Sequence, residues 1–270
     1  MDDTGASQNG TRPTPLVVKR ALQSAVIGLM AGAVGSLIGA GGGIVLTPML
    51  TAAMGLTQKQ AHGTALVAVA MNSLISAVVY RKGGSVAVPQ ALILCLGALS
   101  TSYFGAMFTS KVDSKRLKQY FGVFLLFVAG LIAFPVSAQQ AIPAGSTEPQ
   151  IRSRLMLLVS GCLTGFLSGL LGIGGGTIMV PSLIFNGFGQ KVAQGTALMA
   201  MILPSMLGCV GHFRLGHVQL GLLPGLLGGV LVGAILGGNL AVYMPDRALK
   251  LVCGSVFFLM GIRYAIVSSK

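Results

Sequence analysis

Two short stretches of the chain combine residue types suited to holding an anion. Gly39-Ala40-Gly41-Gly42-Gly43 is followed by Thr47-Pro48, and Gly172-Ile173-Gly174-Gly175-Gly176 by Val180-Pro181. Glycine adopts positive φ at no steric cost, so a glycine run can turn successive N–H groups toward one point and form an anion-binding nest. Thr47 as N-cap and Pro48 at the first helical position read as a helix start. The positive end of a helix dipole would then add to the same attraction. Val180-Pro181 keeps the proline and lacks the cap oxygen. The alternative is close helix packing, which small residues permit in membranes. That packing role is the reading for scattered pairs such as Gly228-Gly229.

Each glycine run is followed by a second polar set. His62-Gly63-Thr64 and Gln194-Gly195-Thr196 open apolar segments, and Asn72-Ser73 and Pro204-Ser205 sit further along the same segments. His62, Gln194, Thr64 and Thr196 can all donate hydrogen bonds to an oxyanion. His62 also titrates near neutrality. The candidate substrate-binding residues are therefore Gly41, Gly42, Gly43, Thr47, His62, Thr64, Asn72 and Ser73, with Gly174, Gly175, Gly176, Gln194, Thr196 and Ser205. Other roles compete with this one: a lipid-interface histidine, threonines bonded to their own helix carbonyls, and an Asn-Ser pair acting as helix–helix glue. Pro204 would break its helix and free a carbonyl.

The elements that must position these residues come in two matching sets. Gly39 and Gly172 are offset by 133 residues; Gln58 and Gln190, Thr64 and Thr196, Gly84 and Gly216, and Gly122 and Gly254 are each offset by 132. The apolar runs follow the same order twice: Ala21–Met54 (long, with a break), His62–Tyr80, Val86–Phe108 and Leu117–Val136, then Leu155–Phe188 (long, with a break), Ala193–Phe213, Val218–Tyr243 and Leu249–Val267. A span needs about 20 apolar residues, and the two long runs exceed that. The expected architecture is an all-α polytopic membrane protein with two homologous repeats of four apolar segments, the first of each broken at Gly-Gly-Gly. Residues 1–20 read as a flexible N-terminal tail, 21–136 as repeat 1, 137–153 as a linker and 154–270 as repeat 2.

Composition agrees with a lipid solvent. Of 270 residues, 53% are hydrophobic and 9% charged, against about a quarter charged in soluble domains. The net charge of +13 does not indicate nucleic acid, because the 18 Lys and Arg lie in short gaps between apolar runs rather than in a patch with interleaved aromatics. Such charges set topology and meet anionic lipid. If each long run crosses once, the repeats are parallel and the two sides hold 10 and 8 basic residues; if each enters, turns at its glycines and returns, the repeats are inverted and the sides hold 11 and 7. The inverted arrangement has the better bias and places both termini in the cytoplasm. The five acidic residues, Asp2, Asp3, Asp113, Glu148 and Asp246, all lie outside the apolar runs. Coupling through an intramembrane carboxylate is thus excluded, as is a Ser-His-Asp catalytic set. Cys95, Cys162, Cys209 and Cys253 read as small buried hydrophobes. No metal or cofactor is expected, and no enzyme activity.

The paired motifs Gly39-Ala-Gly-Gly-Gly43-Ile-Val-Leu-Thr-Pro48 with Gly63-Thr64-Ala65, and Gly172-Ile-Gly-Gly-Gly176-Thr-Ile-Met-Val-Pro181 with Gly195-Thr196-Ala197, resemble those of the sulfite exporter TauE/SafE family. The resemblance covers about Ala21 to Val267. It implies a transporter of sulfite, an organosulfonate such as sulfoacetate, or another small organic anion, mostly exporting across the bacterial inner membrane. The expected partners are that anion and membrane lipid, with a homo-oligomer also compatible. A passive anion channel, or a carrier of small non-sulfur carboxylates, would use the same features.

Overall fold

Lipid supplies no hydrogen bonds, so a chain immersed in it must satisfy its backbone internally, and helices do so segment by segment. The computed structural model describes residues 15–108, 122–123, 125–127, 129–130, 151–171 and 174–267, and among these there is no strand. The helices are α1 (Pro15–Ile38), α2 (Gly43–Met54), α3 (Gln58–Lys82), α4 (Val88–Phe108), α5 (Ile151–Leu171), α6 (Gly176–Phe185), α7 (Gln190–Arg214), α8 (Leu223–Tyr243, after a 3-10 turn at Leu220–Leu222) and α9 (Asp246–Val267). Six segments, on α1, α3, α4, α5, α7 and α8, are long and apolar enough to cross a membrane. Large side chains such as Leu22, Phe104, Leu163 and Leu251 point outward, as lipid contact requires. The chain is a multi-pass membrane protein.

Some boundaries differ from the sequence reading. Helix α1 starts at Pro15, so the last residues assigned to the tail are helical; residues 1–14 lie outside the described residues. So do most of the Leu117–Val136 run and most of the 137–153 linker, whose last three residues open α5. Thr47-Pro48 does not start a helix. Helix α2 begins at Gly43, with Gly42 as its N-cap at φ 86 and no side-chain cap, and Pro48 lies inside it. An internal proline leaves the carbonyl four residues back without its donor. Here that carbonyl belongs to Ile44, and the Tyr264 hydroxyl donates to it at 3.3 Å. The proline is tolerated because α9 satisfies what it frees.

The start of α3 is specified locally. Thr57 is the N-cap of a capping box: its hydroxyl accepts from the Gln60 N–H, and the Gln60 side chain accepts from the Thr57 N–H. These bonds satisfy two of the donors that a helix start leaves open.

The tightest packing joins α1 to α8 and α4 to α5. Gly225, Gly229, Gly233 and Gly237 of α8 lie on the carbonyls of Ala21, Ala25, Leu29 and Ala33 of α1. Gly161, Gly165 and Gly169 of α5 lie on those of Leu94, Ala98 and Ser102 of α4. Residue numbers rise together, so both pairs are parallel. The four-residue spacing puts the glycines on one helix face, where the missing side chains let backbones touch. Helices α3 and α7 cross the other way: Gly63 meets His212 and His217, while Gly195 meets Tyr80 and Ser85.

Candidate functional site

The two glycine breaks meet between α3 and α7. A Cβ on Gly176 would land on the Gly39 carbonyl, and one on Gly174 on the Ala40 carbonyl. Positive φ at Gly39, Gly41, Gly42 and Gly174 makes these turns costly for any other residue. Gly41 faces the middle of both long helices: a Cβ there would sit 3.0 Å from Val69 Cγ1 and from Met201 Cε, and 3.2 Å from Ser73 Oγ. From this meeting point α2 and α6 depart, with Gly42 and Gly175 as N-caps. The first turn of each helix holds amides without intrahelical partners, and its dipole is positive at that end.

Asn72 and Ser73 of α3 line the first break, and both are completely buried. The Asn72 carbonyl oxygen accepts from Ser36 at 3.1 Å, and Ser36 also bonds Ser76 at 2.5 Å. Neither Asn72 Nδ2 nor Ser73 Oγ has a hydrogen-bond partner among the described residues. Buried donors are rarely left so. The second break is lined differently. Thr164 approaches Gly175 and has an unpartnered, buried Oγ1, while Pro204 and Gly208 stand where α3 has Asn72 and Ser76. Buried polar side chains among the described residues are Ser, Thr, Asn, Gln and His. None of them is a carboxylate, Lys or Arg.

Of the other candidate residues, Gln194 packs on Gly39 at the edge of the first break, and the rest are not gathered at this point. Thr47 is buried one turn inside α2, and Ser205 is buried one turn beyond Met201 on α7. Thr64 and Thr196 hold loops of the opposite half. Thr64 Oγ1 accepts from the Gln219 N–H at 3.1 Å, and Thr196 Oγ1 from the Ala87 N–H at 2.9 Å. The preceding Gly63 and Gly195 let the carbonyls of His217 and Ser85 come close. Each Gly-Thr pair is thus a clasp on the loop that leads into α8 or α4. His62 and Gln194 lie at opposite ends of the antiparallel α3–α7 pair, about 27 Å apart at 1.5 Å per residue. His62 bonds Gln58 at 2.7 Å. Gln194 accepts from the Tyr80 hydroxyl at 3.0 Å and donates to Cys253 Sγ at 2.8 Å.

Residues 24–264 match the family described as sulfite exporter TauE/SafE. The chain belongs to that family. Among curated proteins it is 32% identical over 261 residues to the probable membrane transporter protein YunE of Bacillus subtilis, covering 87% of this chain and 94% of YunE. It is 27% identical over 252 residues to the probable membrane transporter protein MJ0441 of Methanocaldococcus jannaschii, covering 88% and 92%. A probable membrane transporter protein of Xylella fastidiosa is 31% identical over 243 residues, covering 88% and 90%. No solved structure matches. This TauE/SafE chain is therefore a membrane transporter. Sequence reasoning passed over Tyr80, Thr164 and Met201 at the breaks. Tyr80, which ends the His62–Tyr80 run, and Thr164, inside the Leu155–Phe188 run, had a readable signal as polar groups in apolar surroundings.

Proposed function

We propose that this chain is a secondary transporter of a small sulfur-containing anion, sulfite or an organosulfonate such as sulfoacetate, and that it exports that anion across the bacterial inner membrane. The observation that carries this reading is the pair of unpartnered, fully buried donors, Asn72 Nδ2 and Ser73 Oγ, beside the glycine turn that opens α2. Donors without acceptors, facing amides at a positive helix end, suit an oxyanion. The two helix starts would approach that anion from opposite sides. Antiparallel α3 and α7, and the reciprocal pairs α1–α8 and α4–α5, support inverted repeats that rock about the site. The family description supports the sulfur chemistry, and the basic-residue bias supports cytoplasmic termini.

Thermal shift of the purified protein with sulfite, sulfoacetate and lactate tests this, since a ligand that binds only the folded state raises apparent stability. Sulfite or sulfoacetate should stabilise the protein, and Asn72→Leu should remove the effect. A shift that survives in Asn72→Leu places the anion elsewhere.

A further inference from the structure

The chain has three histidines, His62, His212 and His217, and all belong to one end of the α3–α7 pair. His212 and His217 pack on Gly63, the residue after His62. The positions 132 residues away at the other end are Gln194, Tyr80 and Ser85, and none of these changes charge near neutral pH. In other respects the two ends are built alike. The Tyr80 hydroxyl donates to the Ser36 carbonyl of α1 at 2.9 Å, and His212 Nε2 bonds the Gly169 carbonyl of α5 at 3.0 Å. Ser36 and Gly169 each lie three residues ahead of a glycine run. Each contact therefore grips the helix that leads into a break. One grip is a phenol and the other is an imidazole.

The imidazole is wired to the membrane edge. A carbonyl only accepts, so His212 Nε2 carries the proton and its Nδ1 holds a lone pair. His217 Nδ1 lies 3.3 Å from that lone pair, with the ring centroids 5.5 Å apart, and so is the donor. His217 Nε2 is then the one basic nitrogen of the pair. The ionisable groups brought to the pair by surrounding elements are Lys59 and His62 from α3, Tyr103 from α4, and Arg214 from α7 itself, which donates to the Tyr103 hydroxyl at 3.3 Å. Helix α5 and the 3-10 turn bring none near Gly169. Burial, and then the Lys59 charge, hold His217 below the usual histidine range. It is neutral at neutral pH, and an anion settling beside Lys59 relieves the second of these effects.

We propose that the His217–His212 pair binds the proton to which anion transport is coupled, in place of an intramembrane carboxylate, of which none is buried among the described residues. A proton adds to the lone pair of His217 Nε2. The imidazolium then passes its Nδ1 proton along the existing hydrogen bond to His212 Nδ1. His217 is left neutral with its proton on Nε2, and His212 becomes the imidazolium. The charge has moved from the membrane edge to a fully buried ring that grips the Gly169 carbonyl ahead of the second break. By linkage, anion and proton favour each other's binding. This inference rests on the transporter reading but not on which anion is carried.

The test exchanges the two ends. Wild type and the double variant His212→Tyr/His217→Ser, which copies Tyr80 and Ser85, are reconstituted in liposomes with sulfite as probe and an inward-acidic or outward-acidic gradient between about pH 5.5 and about pH 7.5. In wild type the gradient drives accumulation; in the variant the gradient-driven flux falls about tenfold or more. Sulfite's own titration is common to both proteins and cancels. Equal gradient-driven flux in the two overturns the proposal. Wild type in nanodiscs with 15N-labelled histidine gives a reading independent of transport, with the His62 signal assigned by His62→Gln. The pair should take up one shared proton between about pH 5 and about pH 8; two independent titrations, or none in that window, overturn it. If wild type moves no sulfite while the pair titrates as one, the substrate reading fails and the proton site stands.

Discussion

The two glycine breaks touch each other and differ in chemistry. Each closes a helix that enters the bundle, and each starts a short helix of 12 or 10 residues. Beside the first stand Asn72, Ser73, Ser36 and Ser76; beside the second stand Thr164, Pro204, Gly208 and Gly169. The first N-cap has φ 86 and the second φ −82. The two breaks therefore differ at the N-cap backbone as well as in their lining. The lesson is that the backbone contact between the breaks and the polar lining answer to separate constraints, and substitutions can separate them.

The largest effect should come from that backbone contact. Gly176→Val would drive a Cβ into the Gly39 carbonyl, and neither partner is a flexible side chain. The cost should be about 3 kcal/mol or more, read as a fall in thermal stability with or without ligand. Gly84→Ala meets nothing within 4 Å and carries only the strain of φ 66, about 1 kcal/mol. Equal losses in the two variants would break the claim that the breaks are in contact.

Next comes the lining. Ser73→Ala should weaken anion binding about tenfold, the worth of one hydrogen bond to a charged group. Ser205→Ala, its counterpart on α7, should change binding far less. Isothermal titration with the anion found by thermal shift compares them, and a larger effect at Ser205 would move the site to the second half. The clasps should behave as equals instead. Thr64→Val and Thr196→Val each strip the acceptor from one loop N–H and should each cost about 1–3 kcal/mol. Their costs should add in the double variant, because the clasps lie at opposite ends of α3 and α7.

The smallest expected effect concerns Pro48. Tyr264→Phe removes the donor to the Ile44 carbonyl and should cost about 1 kcal/mol. Pro48→Ala restores a backbone N–H to that carbonyl. In the Pro48→Ala background Tyr264→Phe should therefore cost nothing measurable in thermal unfolding.

Much of the helical plan was legible because it rests on local pattern. Apolar runs of span length mark the six helices that, among the described residues, are long and apolar enough to cross a membrane, and Asn72-Ser73 is visible as a polar pair in an apolar run. The start of α2 was misread because a good cap signal at Thr47-Pro48 competed with glycines that turn the chain five residues earlier. The distal tyrosine that makes Pro48 tolerable is 216 positions further along the chain, where no local rule points to it. The Gly-Thr motifs were read as ligand donors for a similar reason. Their partners are Gln219 and Ala87, more than a hundred residues away. His62 and Gln194 align in sequence, but antiparallel packing of α3 and α7 sends aligned residues to opposite ends.

The glycine faces of α8 and α5 have a mechanical consequence. Each face seals a pair drawn from both halves of the chain, α1 with α8 and α4 with α5. The most closely packed helix pairs therefore join the first half of the chain to the second, and a cut through the linker should not yield two independent domains. Half-chains made separately should each expose a strip of bare backbone carbonyls or glycines to lipid. They should be recovered only when co-produced, each supplying the groove that the other fills.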